Sequence, residues 1–113
     1  MTSISTSPFI PTTIENLLTY STTNSSKLIV LDFKATWCAP CKSIKPYVEY
    51  LKEHYTNVDF YEIDIEDEDT ESITKTFDIK KLPTFIYYKN GQICNLLIGV
   101  NKGNIEEMVN EYL

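Results

Sequence analysis

The 113-residue chain has no apolar run near the roughly 20 residues that a membrane-spanning helix needs. It has no excess of positive charge either. Ten Lys plus Arg stand against sixteen Asp plus Glu, a net charge of −6. No basic patch offers nucleic acid or an anionic membrane an electrostatic footing, and the charge is read as serving solubility. Cysteine is scarce and odd in number, at three, whereas a secreted scaffold stapled by disulfides carries an even and denser set. Reduced, intracellular surroundings with a catalytic pair fit this usage better. The opening residues, Met1 to Ser7, lack both a basic and an apolar region, so no secretory signal is expected there. They also lack the arginine of a transit peptide. The composition is otherwise that of one compact domain, with 42% hydrophobic and 23% charged residues.

What is present is organised around Ala35-Thr36-Trp37-Cys38-Ala39-Pro40-Cys41-Lys42. Two cysteines lie three positions apart, after an apolar run and at the start of an amphipathic one. A strand that opens into a helix presents unpaired N–H groups and a partial positive charge at that junction. A thiolate there is stabilised, and the thiolate is the nucleophile. The expectation is a dithiol that cycles between reduced and disulfide forms.

In chain order, residues 1–8 are expected to be a flexible tip, with a short strand around Phe9 and Ile10 and a domain spanning 9–113. Thr12 and Glu15 have capping-box spacing, predicting a helix with Ile14, Leu17 and Leu18 on its inner face that fades by Ser21. Ser21 to Ser26 is read as a loop. Lys27 to Phe33 is nearly all apolar, as a strand covered on both faces must be. The spacing of Ile44, Val48, Leu51 and Tyr55 predicts a helix over 38–55, interrupted by Pro46. Val58 to Asp64 alternates as a strand, and strand, helix and strand in this order form a right-handed parallel βαβ unit. The acidic run Glu66 to Glu71 is read as a solvated helix start rather than a metal site, with Ile73 and Phe77 turned inward. Thr84 to Lys89 and Gln92 to Val100 should be antiparallel strands joined by Asn90-Gly91. A last helix, capped by Asn101 or Asn104, would turn Ile105, Met108, Val109 and Leu113 to the sheet. The sum is an α/β domain with a mixed sheet of four to five strands and helices on both faces.

These residues carry a family resemblance over nearly the whole chain. D-F-x-A-T-W-C-x-P-C-K at 32–42, Pro46, L-P-T-F at 82–85, K-N-G at 89–91 and Gly99 together make the chain resemble the thioredoxins. The resemblance implies a thioredoxin fold and a protein-disulfide reductase, active in electron transport and cell redox homeostasis. Cys38 would be the exposed attacking thiol and Cys41 the buried resolving one. Asp32 would lie beneath Cys41 and manage its proton. Pro83 would be a cis proline facing the disulfide, with main-chain groups of Leu82 free for an extended substrate. Trp37, Leu82 and Gly99 would shape the receiving surface, and Ala39 and Pro40 the turn between the sulfurs. The reading implies no bound cofactor. NADPH would serve only indirectly, through a thioredoxin reductase, for a cytoplasmic monomer acting on disulfide-containing proteins, without nucleic acid or membrane.

Physical reasons stand beside these roles. A carboxylate in a doubly covered strand should have a raised pKa, which suits proton transfer near neutrality. Pro40 has a fixed φ and no N–H, so it fits a first helical turn. The chain departs from the family at Ala39, where glycine is usual. It departs also at Phe60, which aligns with a lysine that many thioredoxins place near the buried acid. Cys94 is read as a small core side chain and His54 as a surface residue near a helix end. Alternatives remain: a thioredoxin-fold binding or scaffold module, a disulfide isomerase or oxidase, and a metal site made by Cys38, Cys41, Cys94 and His54. The last has only one short-spaced ligand pair where structural zinc takes two.

Overall fold

The computed structural model describes residues 9–113, so the expected tip at 1–8 lies outside them. The elements are α1 (Ile14–Thr23), β1 (Ile29–Lys34), α2 (Ala39–His54), β2 (Asp59–Asp64), a 3-10 turn (Glu68–Thr70), α3 (Glu71–Thr76), β3 (Thr84–Lys89), β4 (Gln92–Ile98) and α4 (Lys102–Tyr112). The sheet has four strands in the order β2-β1-β3-β4. β1 and β2 run parallel across α2, as the βαβ pattern requires, and β3 is antiparallel to both β1 and β4. Phe9 and Ile10 form no strand; Phe9 instead stacks its ring on Tyr20 with centroids 4.0 Å apart.

The apolar run in β1 is covered on both faces, and its first five residues are buried. Successive side chains point to opposite faces. Val30 joins Ile44, Val48, Leu51, Phe85, Tyr87, Ile105 and Val109 on the side of α2 and α4. Ile29, Leu31 and Phe33 join Leu17, Ile63, Ile73, Ile86 and Tyr88 on the side of α1 and α3. Tyr87 is wholly buried, and its hydroxyl donates to the Ile105 carbonyl at 2.9 Å, which satisfies the phenol inside the core.

Several local expectations are corrected. The capping box is Thr13 with Asn16, one residue later than Thr12 with Glu15. The Asn16 N–H donates to Thr13 Oγ1, and Asn16 Oδ1 accepts from the Thr13 N–H. Asn16 can do this because its short amide supplies the same acceptor that a glutamate would. Leu17 is buried but Leu18 is 45% exposed, because the packed stripe of α1 is narrower than its apolar content. α1 continues through Ser21 to Thr23. A serine is neutral in a helix, and here a tertiary bond decides: fully buried Ser21 accepts the Gly91 N–H at 2.9 Å. The acidic run is split, with Asp67 capping the 3-10 turn through the Asp69 N–H before α3 begins. β4 ends at Ile98, and both Val100 and Leu113 are exposed. Asn101 rather than Asn104 caps α4, accepting the Asn104 N–H at 3.0 Å.

The β3–β4 hairpin turns at Asn90 and Gly91, both at positive φ. A Cβ on Gly91 would come within 2.9 Å of side-chain carbons of Leu18 and Thr22, so α1 sits directly over the turn. Ser21→Ala would leave the Gly91 N–H without its acceptor at this contact. A loss of about 1–3 kcal/mol is expected, read as a lower denaturant midpoint at unchanged slope. An unchanged midpoint would mean that the hairpin does not depend on α1.

Candidate active site

β1 delivers the chain to the site. After Lys34 the turn Ala35–Trp37 leads to Cys38, the N-cap of α2, whose first two residues are Ala39 and Pro40. Pro40 sits where the helix has no use for an N–H. Cys38 and Cys41 form a disulfide with Cα atoms 5.3 Å apart. The Cys41 N–H also donates to Cys38 Sγ at 3.2 Å, so the helix N-terminus points a backbone donor at that sulfur. The pair packs with Ala35, and half-buried Ile65 and Leu82 close around it.

Exposure does not separate the two sulfurs as expected. Cys38 is 5% and Cys41 7% exposed, because in the disulfide both are wedged against Ala35, Ile65 and Leu82. Their difference lies in the helix: Cys38 is outside it as the cap, and Cys41 is within its first turn. Trp37 is 62% exposed beside the pair, and Ala39 and Pro40 are exposed too. The Leu82–Pro83 peptide bond is cis. Pro83 is buried, and its carbonyl accepts the Gly99 N–H at 2.9 Å, with Gly99 at φ +104°. That bond ties the Leu82–Pro83 segment to the end of β4. The main-chain N–H and C=O of Leu82 bond to nothing among the described residues.

Asp32 is 5% exposed and lies two residues from Val30, hence on the α2 side of the sheet where Cys41 also lies. Its Oδ1 has no hydrogen-bond partner among the described residues. Burial pushes its carboxyl up from 3.8 to about 7. The charge of Glu62 adds to the rise, while Lys34 and Lys45 oppose it. The strand register corrects the alignment at Phe60. Phe60 pairs with Val30, and the residue opposite Asp32 is Glu62. Lys45 Nζ holds both Glu62 oxygens, at 3.1 and 3.0 Å. Sequence reasoning missed Glu62 and Lys45. The βαβ pattern states that the two strands are parallel neighbours, but their offset is set by packing, so no sequence signal marked Glu62 as the partner of Asp32.

A cleft of about 330 Å³ opens beside the disulfide, lined by Lys34, Thr36, Cys41, Lys42, Lys45 and Glu62 among others. A more voluminous one, about 570 Å³, runs along α1 between Phe9 and Tyr20, but it contains neither cysteine nor a buried acid and lies apart from the redox pair. Cys94 is half-buried against the α2 side of the core, and burial pushes its thiol up. His54 is exposed and stacks on Tyr50 with ring centroids 5.5 Å apart. Among the described residues no three His, Cys, Asp or Glu side chains converge as metal ligands, so the four-residue metal site is not assembled. No helix among them is long and apolar enough to cross a membrane.

The thioredoxin family model matches residues 11–111. The chain is 44% identical over 88 residues to the thioredoxin of Ophiophagus hannah, covering 78% of this chain and 82% of that one. It is 44% identical over 85 residues to the thioredoxin of Homo sapiens, covering 75% and 79%. The X-ray structure of Fasciola hepatica thioredoxin superposes with a TM-score of 0.81 at 29% identity, covering 90% of this chain and 96% of that one. A disulfide closed across two intervening residues at a helix N-terminus, a four-stranded mixed sheet and these likenesses lead to one conclusion. The chain belongs to the thioredoxin family and is a thiol–disulfide oxidoreductase that reduces protein disulfides through its own cysteine pair.

Proposed function

We propose that Cys38 is the attacking thiol, Cys41 the resolving thiol and Asp32 the group that handles the Cys41 proton. The observation that carries this reading is the place of Cys38 as N-cap of α2, with a helix N–H directed at its sulfur. In the reduced form that donor and the helix dipole favour the Cys38 thiolate. The thiolate attacks one sulfur of a target disulfide, forms a mixed disulfide and releases the other target sulfur as a thiolate. Cys41 then gives its proton to ionised Asp32 and attacks Cys38 Sγ. The Cys38–Cys41 disulfide forms and the second target sulfur leaves. Two electrons have passed to the target.

Trp37, Ala39, Pro40, Leu82 and Gly99 form the surface that receives the target, with buried Pro83 as its support. Exposed Trp37 offers apolar area, and the free main-chain groups of Leu82 can bond an extended peptide in the manner of strand addition. Regeneration is assigned to a thioredoxin reductase that draws on NADPH, so this chain carries electrons without holding a nucleotide. It works as a monomer in the cytoplasm, its domain spanning 9–113. Cys41→Ser should trap target proteins as stable mixed disulfides on Cys38, identified by mass spectrometry after release with reductant. Trapping by Cys38→Ser in its place would reverse the assignment of the two sulfurs.

A further inference from the structure

Asp32 has a charged neighbour whose position follows from the sheet. Parallel strands lie about 4.8 Å apart, and register partners present their side chains to the same face. Glu62 is the β2 partner of Asp32, so two acids are neighbours on the α2 side. Like charges so placed cannot both be comfortably ionised. Glu62 is not left free to turn away: Lys45, one turn after Cys41 on α2, grips both its oxygens. The same two residues line the cleft beside Cys41, while Asp32 is sealed beneath with an unpartnered oxygen. Glu62 and Lys45 therefore stand between the buried acid and solvent.

We propose that the Lys45–Glu62 ion pair is a positioning pair for the reaction, setting the pH at which Asp32 takes up and releases its proton and keeping that exchange open through the cleft beside Cys41. The inference rests on the reading of Asp32 as the group that handles the Cys41 proton. Other groups facing Asp32 are few. Lys34 follows on β1 and Lys42 on α2 lines the cleft. On β3 its partner Phe85 is uncharged, and Tyr87 is the next side chain on that face. Glu62 is thus the negative neighbour that adds to the effect of burial on Asp32, and Lys45 is a cation that tempers it together with Lys34. The directions agree: burial raises the Asp32 carboxyl most, Glu62 raises it further, and Lys34 and then Lys45 lower it.

Opposite signs make the test. Glu62→Gln removes the negative neighbour and frees Lys45, so Asp32 should titrate at lower pH, by on the order of one pH unit. Lys45→Gln leaves Glu62 unneutralised, so the midpoint should rise. The double variant should fall between them, near the wild type. The readouts are the pH titration of the Asp32 carboxyl carbon by NMR in the oxidised full chain and the pH profile of insulin reduction. Both side chains reach solvent, with 52% exposure for Lys45 and 23% for Glu62, so both variants should fold. A purely structural pair would lower stability in both variants and leave the midpoint unmoved. Midpoints that coincide with the wild type, or that shift in the same direction, overturn the inference. Asp32→Asn separates the two levels. If it leaves the pH profile of reduction intact, the role of Asp32 fails and the inference with it. If it removes the pH step while the pair variants do not move it, only the pair is overturned.

Discussion

Cys38→Ser should bring insulin reduction down to the rate of dithiothreitol alone. A serine hydroxyl is not ionised near neutrality, and its oxygen cannot carry the sulfur–sulfur exchange that passes two electrons to the target. The fold should survive, since serine is a favoured N-cap and can accept the Cys41 N–H that Cys38 Sγ now receives. Its stability belongs beside that of the reduced wild type, because the variant has no disulfide to tighten the loop. Circular dichroism of the folded variant together with the turbidity assay checks both halves of the expectation. Activity clearly above the dithiothreitol background would hand the attack to Cys41 or to half-buried Cys94, and the N-cap argument would be wrong.

Asp32→Asn should stabilise the oxidised protein at alkaline pH. The folded carboxyl titrates at about 7 and its ordinary value is 3.8. Between these values the folded state keeps a proton that the unfolded state has released, so stability falls as pH rises through that window. Asparagine has no such titration. The gain of the variant over the wild type is therefore absent near pH 3, grows from about pH 4, and levels off above about pH 8. Its ceiling is about 4 kcal/mol, since each pKa unit is worth about 1.4 kcal/mol. Any effect of the buried amide on packing is an offset independent of pH. Denaturant midpoints of both proteins, measured from pH 4 to pH 9, give the difference curve. A flat curve would mean that Asp32 is hydrated or paired in solution. A rising one would show that the protein keeps a destabilising acid inside its core.

Much of the fold was legible because strong patterns are local. The run Lys27 to Phe33 read as a covered strand, and Asn90-Gly91 gave the strongest short signal of a tight turn between strands. The parallel pairing of β1 and β2 followed from the chirality of a strand–helix–strand unit. The errors cluster where a distant contact outweighed a weak local preference. Ser21 reads as a loop residue until Gly91 supplies its partner from seventy positions away. Thr12 with Glu15 has the spacing of a capping box, but Asn16 closes the box on Thr13 instead. Leu18 is apolar and yet exposed, because a helix buries only the stripe that its neighbours can reach, and exposed Leu113 lies past the end of α4.

For the site, the pair Cys38 and Cys41 and a buried acid at Asp32 were legible from residue type and position, while Pro83 was identified only through the resemblance to the thioredoxins. The sequence by itself determined a cysteine pair at a strand-to-helix junction, where a thiolate is stabilised, and the wider motif that makes the chain resemble the thioredoxins gave that pair its redox role. Tertiary structure alone decided the surroundings. It buried both sulfurs alike, tied Pro83 to Gly99, and put Glu62 rather than Phe60 beside Asp32. The physical reason is register. A strand's period states which residues share a face, but not how far the strand slides along its neighbour. That offset is set by how α2 and the whole core pack, so the charge facing the buried acid is a property of the assembled sheet.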